Sequence, residues 1–205
     1  VNYNYKLTIV LLLLVGFLVI TGAQPYDLLT WMLEVAPIVF VIPVLWYTRK
    51  SFPLTNLLLI LIVIHALVLA IGAKYTYARV PLGFTLQELF ELNRNPYDKI
   101  GHFFQGCVPA LVAREILIRG QYIRSSGMLN FIVVCVVLAV SATYEMIEWA
   151  AALVMGQGAD EFLGTQGDMW DTQSDMFLAL IGALFTLLML SRLHNRQLAK
   201  LSNKP

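Results

Sequence analysis

Aspartate, glutamate and histidine recur in this chain at helical spacing, inside or at the edge of runs that are otherwise apolar. The stretch from Gly164 to Asp175 carries Asp168, Asp171 and Asp175 directly ahead of a strongly apolar run. If a helix begins near Asp171, then Asp171 and Asp175 fall four apart on one face, with Asp168 one turn above or in the loop. Glu145 and Glu148 are spaced i,i+3, Asp98 and His102 i,i+4, and His102 and Gln105 i,i+3, so each pair shares a helix face. Carboxylates gathered in a low dielectric cannot all remain ionised without cations, and Lys99 is the only fixed positive charge close to them in these helices. The remaining options are protonation, bound water or a divalent metal. Histidine mixed with carboxylates suits Zn, Mn or Fe, with Mg if carboxylates dominate. Such an ion would acidify a bound water and polarise a phosphoryl or acyl oxygen. No phosphate-binding glycine loop, Ser-His-Asp order or metal-binding cysteine pair narrows the reaction further.

Within this constellation His102, Glu148 and Asp175 are the expected metal ligands, because each lies inside an apolar span rather than at its first residue. Glu145 or Asp171 would serve as a further ligand or general base, and Lys99 would hold an anionic headgroup. Asp98, Gln105, Gln166 and Asp168 complete the polar surroundings, and Glu34 adds an acidic group in another helix. A plainer reading stands beside this one. Asp98 and Asp171 open helices and equally suit helix caps, Glu145 could pair with Lys99 structurally, and Tyr144 and Trp149 suit interface anchors.

The elements that must position these groups are membrane helices. At 59% hydrophobic and 13% charged, the 205-residue chain is too apolar for a soluble domain. Six runs approach the roughly 20 apolar residues that a bilayer core demands: 7–23, 28–48, 54–73, 99–118, 128–155 and 172–193. The expected architecture is all-α, a polytopic six-helix transmembrane bundle forming one domain over residues 1–205. The first run, preceded by Lys6, is read as a retained anchor rather than a secretory signal. A net charge of +1 leaves no nucleic-acid footprint. Of the fourteen Lys and Arg residues, ten (Lys6, Arg49, Lys50, Arg114, Arg119, Arg124, Arg192, Arg196, Lys200 and Lys204) fall on one side and Lys74, Arg79, Arg94 and Lys99 on the other. The positive-inside rule then makes both termini cytoplasmic and the acidic and histidine site external.

Along the chain, Asp27 is an expected N-cap for the second helix, which carries Glu34 and two kinking prolines, Pro37 and Pro43. Pro53 is expected to open the third helix, and His65 within it reads as a packing residue. Thr85 and Glu88 have capping-box spacing and Leu86 with Phe90 and Leu89 with Leu92 recur at helical spacing, which suggests a short amphipathic external helix, with an ordered loop as the plainer alternative. Asn95-Pro96-Tyr97-Asp98 echoes Gln24-Pro25-Tyr26-Asp27, consistent with a duplication or with a common turn. Arg114 and Glu115 read as an ion pair at the inner interface, and Cys107 and Cys135 as buried packing thiols. The loop over 156–170 has no Lys or Arg and includes Asp160, Glu161 and Asp168, while the basic tail from Arg192 suits anionic headgroups.

Three segments together, Asn95-Pro-Tyr-Asp-Lys-Ile-Gly-His102-Phe-Phe-Gln-Gly, Tyr144-Glu-Met-Ile-Glu-Trp149 and Phe162-Leu-Gly-Thr-Gln-Gly-Asp-Met-Trp-Asp-Thr-Gln-Ser-Asp-Met176, resemble the YjdF family of bacterial inner-membrane proteins over nearly the whole chain. The pattern is more distantly similar to VanZ-like membrane proteins. In those proteins an Asp-Lys-x-x-His opens one helix, a glutamate lies in the next, and an Asp-x-x-x-Asn-x-x-Gly helix follows. Asp98, Lys99 and His102 match the first element, Glu145 or Glu148 the second, and Asp175 with Gly182 the third, with Ala179 where that pattern has Asn. The association of VanZ-like proteins with teicoplanin resistance implies proximity to envelope lipids or lipid-linked intermediates. The leading expectation is therefore a metal-dependent membrane hydrolase or transferase whose partners are membrane lipids and a lipid-linked substrate. A proton-coupled transporter using Glu34, His65, Glu145 and Glu148 as a relay is a second reading, and a non-catalytic scaffold or regulator is a third.

Overall fold

A computed structural model describes residues 3–156 and 165–202. Asp160, Glu161 and Lys204 lie outside the described residues. The chain runs α1 (Tyr3–Gly22), α2 (Leu28–Thr48), α3 (Asn56–Tyr75), α4 (Pro81–Leu89), α5 (Tyr97–Arg119), α6 (Ser126–Met155), α7 (Asp171–Phe185), a π-helical turn (Thr186–Leu190) and α8 (Ser191–Ser202). No strand is present among the described residues. The chain is an all-α polytopic membrane protein. Five helical stretches are long and apolar enough to cross a bilayer: α1, α2, α3, α6 and the continuous run from α7 into α8. The expected span at 99–118 lies in α5, which is 23 residues long, enough to cross, but carries Asp98, Lys99, Arg114, Glu115 and Arg119 and so stands apart from those five.

The helices group into two compact units, and the division passes through α3, α5 and α6. The first comprises Val1–Pro53, Val63–Gly101 and Ala151–Asp168. Its core packs Leu14 of α1 and Val35 and Ile38 of α2 against Ala66, Ala70 and Ala73 of α3. The small α3 side chains let neighbouring backbones approach, which is how helices gain packing contacts where lipid supplies no hydrophobic drive. Asp27 caps α2 as its spacing predicts, its carboxylate accepting from the Thr30 N–H at 2.7 Å. Pro37 and Pro43 lie within α2, whose Glu34 is buried.

Local structure departs from expectation at several points. Pro53 does not open α3; the helix starts at Asn56, and the Thr55 hydroxyl accepts from the Leu58 N–H at 3.3 Å. Thr85 does not begin α4, which starts four residues earlier with Pro81 at its first position, where a missing N–H costs nothing. The Thr85 hydroxyl instead bonds back to the Pro81 carbonyl. The two Pro-Tyr-Asp turns differ in use. In the second, Asn95 makes the turn, accepting from the Tyr97 N–H at 3.0 Å while its amide donates to the Val80 carbonyl, and Asp98 lies inside the helix. Tyr97 is buried and donates to the Val68 carbonyl, whereas Tyr26 is exposed with Arg79 over its ring.

The second unit comprises Leu54–Ile62, His102–Ala150 and Met169–Pro205. Its centre is an apolar block of Ala110 and Ala113 (α5), Leu129, Val133 and Val137 (α6) and Ala179 and Ala183 (α7). Helices α5 and α7 touch backbone to backbone: a methyl group added to Gly106 would strike the Ala179 carbonyl, and one added to Gly182 would strike the carbonyl of Phe103. Only glycine permits that approach. Both cysteines are free; Cys107 is buried with its thiol on the Gly182 carbonyl, but Cys135 is exposed rather than buried.

Candidate functional site

The second unit holds two buried polar clusters, one at each end of its apolar block. The first is built on His102, which α5 places one turn beyond Asp98. His102 is 6% exposed, Glu145 8% and Asp175 3%, so all three are withdrawn from bulk solvent and from lipid. The ring Nδ1 lies 2.9 Å from Gln105 Oε1, one turn further along the same helix. A glutamine oxygen only accepts, so in the neutral ring Nδ1 carries the proton and Nε2 keeps its lone pair. That lone pair faces Asp175 of α7, with Nε2 and Oδ2 3.7 Å apart. Glu145 of α6 approaches the other side, its Oε1 3.9 Å from Nδ1. Pro109 lies in α5 four residues after Gln105 and has no N–H to offer that residue's carbonyl, which adds a backbone oxygen freed from the helix ladder.

This arrangement has the features of a histidine prepared for a metal. Ligating imidazoles usually donate the second ring N–H to an oxygen, as His102 does to Gln105. Two ligands held at about 2.0–2.1 Å on a tetrahedral ion stand about 3.3 Å apart. The 3.7 Å between His102 and Asp175 is too long for a hydrogen bond and close to that ligand spacing. Ser141 stands one turn before Glu145 on the same side of α6, is 0% exposed, and its hydroxyl has no hydrogen-bond partner among the described residues. Its signal in the sequence is the i,i+4 step to Glu145, obscured because serine is common in membrane helices.

Asp171 is buried on the Asp175 face of α7, so the four-residue spacing works as read. Glu148 is half-buried one turn beyond Glu145, and Asp98 and Lys99 are half-buried in the first turn of α5. Glu34 lies in α2, in the first unit. Gln166 and Asp168 take part in a separate clasp of the first unit. The Gln166 side chain exchanges two hydrogen bonds with the Asn95 backbone at 3.0 and 3.1 Å, Arg94 donates to the Thr165 carbonyl, and Asp168 lies 3.7 Å from Arg94.

The second cluster replaces the expected Arg114–Glu115 ion pair with a wider network. Glu115 is 0% exposed and does not simply pair with Arg114 as its neighbour in sequence suggests. Its carboxylate accepts from the Thr55 hydroxyl at 2.9 Å, from Arg119 at 3.1 Å and from His194 Nε2 at 3.1 Å. Arg114 turns to His194 Nδ1 at 3.0 Å and to Asn195 Oδ1. A guanidinium has only donors, so Nδ1 accepts and the neutral His194 gives its Nε2–H to Glu115. Reading the segment beyond Arg192 as a basic tail conceals this, although Leu198 and Leu201 continue the helical period from His194.

An all-α polytopic membrane protein with buried histidine and carboxylate groups is the class that fold and site define. The family described as "Predicted membrane protein (DUF2238)" matches residues 6–196, and the chain belongs to that family. It is similar to the "Inner membrane protein YjdF" of Escherichia coli (strain K12), with 61% identity over 183 residues, 89% of this chain and 88% of the relative. No solved structure matches. These findings do not bear on the likeness to VanZ-like proteins.

Proposed function

We propose that the His102 cluster binds a divalent metal and that this ion serves a hydrolytic or transfer reaction on a lipid or lipid-linked envelope substrate. The observation that carries the reading is a buried imidazole with Nδ1 held by Gln105 and Nε2 facing Asp175 at 3.7 Å. His102 and Asp175 would be ligands. Glu145 sits where a ligand or a general base is needed, and Asp98, one turn before His102, and Glu148, one turn after Glu145, offer further carboxylates. The bound ion would supply an acidified water and a Lewis acid for a phosphoryl or acyl oxygen. Lys99, in the first turn of α5, supplies a positive charge for an anionic headgroup. The ten-to-four distribution of Lys and Arg favours an external, periplasmic opening for this end of the helices.

The test is metal content by inductively coupled plasma mass spectrometry on detergent-purified protein, beside His102→Ala and Asp175→Asn variants matched for thermal stability. Near-stoichiometric Zn, Mn, Fe or Mg, lost in both variants, is the expected result. Absence of metal from a folded wild-type protein purified in metal-supplemented buffer would remove the reading. A proton-coupled transporter is disfavoured by the apolar block of Ala110, Ala113, Val133, Val137, Ala179 and Ala183 between the two polar clusters. Proton flux in proteoliposomes would revive it. A scaffold role predicts that neutralising His102 lowers stability while leaving every separable activity intact.

A further inference from the structure

The run from Asp171 to Leu201 is 31 residues long, about 46 Å at 1.5 Å per residue, against a hydrocarbon core of about 30 Å. If Asp171 marks one edge of that core, the other edge falls near Ser191, where α8 begins. Arg192, Arg196 and Lys200 then rise through the headgroup layer at roughly 6 Å intervals. All three are exposed. At 100° per residue they occupy an arc of about 80°. The centre of that arc lies about 180° from the midpoint between His194 and Leu198, which are buried. The buried side is held by polar bonds as well as packing: His194 to Glu115 at 3.1 Å, Asn195 to Arg114, and Gln197 to the Leu57 N–H at 2.9 Å. A helix fixed in this way cannot roll, so its basic stripe points permanently away from the protein. Leu193, 45% exposed, flanks the stripe.

We infer that α8 is a fixed binding site for anionic phospholipid, with Arg192, Arg196 and Lys200 contacting headgroup phosphates of the leaflet in which the helix ends. The occupant is a lipid rather than a soluble acidic partner because the stripe continues directly from a membrane-spanning helix and climbs within the headgroup layer. Each basic residue near an anionic surface is worth on the order of fivefold in affinity. The site is independent of the proposed metal chemistry.

Native mass spectrometry of the full chain in detergent, titrated with dioleoylphosphatidylglycerol and with dioleoylphosphatidylcholine, tests this. The wild type should retain the anionic lipid preferentially. R192Q/R196Q/K200Q should lose most of that preference, and each single exposed substitution should reduce it on the order of fivefold. R49Q/K50Q/R124Q removes the same charge elsewhere and should retain the preference. Equal retention of both lipids by the wild type, an unchanged preference in the stripe variants, or its loss in R49Q/K50Q/R124Q would each overturn the assignment.

Discussion

At the scale of single residues, the two buried histidines behave differently because their partners differ. His102 has an acceptor on Nδ1 and a carboxylate beyond hydrogen-bond reach of Nε2, whereas His194 is closed at both nitrogens by Arg114 and Glu115. The first sets a carboxylate beside Nε2 at a spacing suited to shared ligation; the second closes both ring nitrogens in hydrogen bonds. Gln105→Leu should therefore keep the fold yet weaken metal retention by about 10–100-fold, measured by competition with a chelator, since it removes only the group that orients the ring. Glu115→Ala should have the opposite profile. It strands His194 in a buried place, removes an acceptor from Thr55 and Arg119, and should cost about 3–5 kcal/mol, measured by unfolding in mixed micelles, without changing metal content. The His102 group was legible in the sequence because ionisable residues are costly inside apolar runs, and i,i+3 and i,i+4 spacing turns them toward one shared face. The Glu115 group was not, because its members come from positions 55, 114, 115, 119, 194 and 195, and no local pattern joins them.

At the scale of elements, helix existence followed from apolar length, while helix ends followed from individual capping bonds. Asp27 announced itself, but Asn95 did not, because by residue type Asn95 and Asp98 are equal candidates to cap the helix, and only the bond to the Tyr97 N–H distinguishes them. Asp27→Ala should lower stability by about 1 kcal/mol at neutral pH. The Thr30 N–H holds the Asp27 carboxyl below its ordinary value of 3.8. Its contribution is therefore complete above that value and disappears as pH falls through the lower, folded-state value. The melting difference between wild type and Asp27→Ala should accordingly shrink in strong acid. Contact between α5 and α7 makes a sharper demand. Gly106→Ala should destabilise by about 1–3 kcal/mol, because the new methyl meets the Ala179 backbone rather than a side chain that can turn aside. Sequence could not reveal this, as a glycine in an apolar helix looks the same whether or not another backbone lies against it.

At the scale of the whole molecule, the apolar composition and the charge asymmetry speak to orientation. Cysteine substitutions at Lys200 and at Met169, both exposed, should be labelled by an impermeant thiol reagent from opposite faces in a Cys107→Ala/Cys135→Ala background. Reaction at Lys200→Cys only after the cytoplasmic face is opened is the expected pattern. The fold class was readable from composition, since long apolar runs can satisfy their backbone in lipid only as helices or as closed barrels, and no alternating pattern favoured the latter. The division into two compact units was not readable. Two of its boundaries fall in loops, at Pro53/Leu54 and Asp168/Met169, but the other three cut through helices, so no linker marks it.

The π-helical turn at Thr186–Leu190 separates Asp175 on α7 from His194 on α8. A π turn accommodates one residue more than an α-helix would over the same rise, and such insertions often survive where function depends on them. Deleting a single residue there would restore uniform winding without turning what lies beyond it, because the wide turn has absorbed that residue. His194 would stay against Glu115 and Asp175 would keep its place. An insertion or deletion elsewhere between the two sites would instead turn one against the other by about 100°, so the wide turn is the one place on this screw where its length can change by a residue while both sites keep their facing.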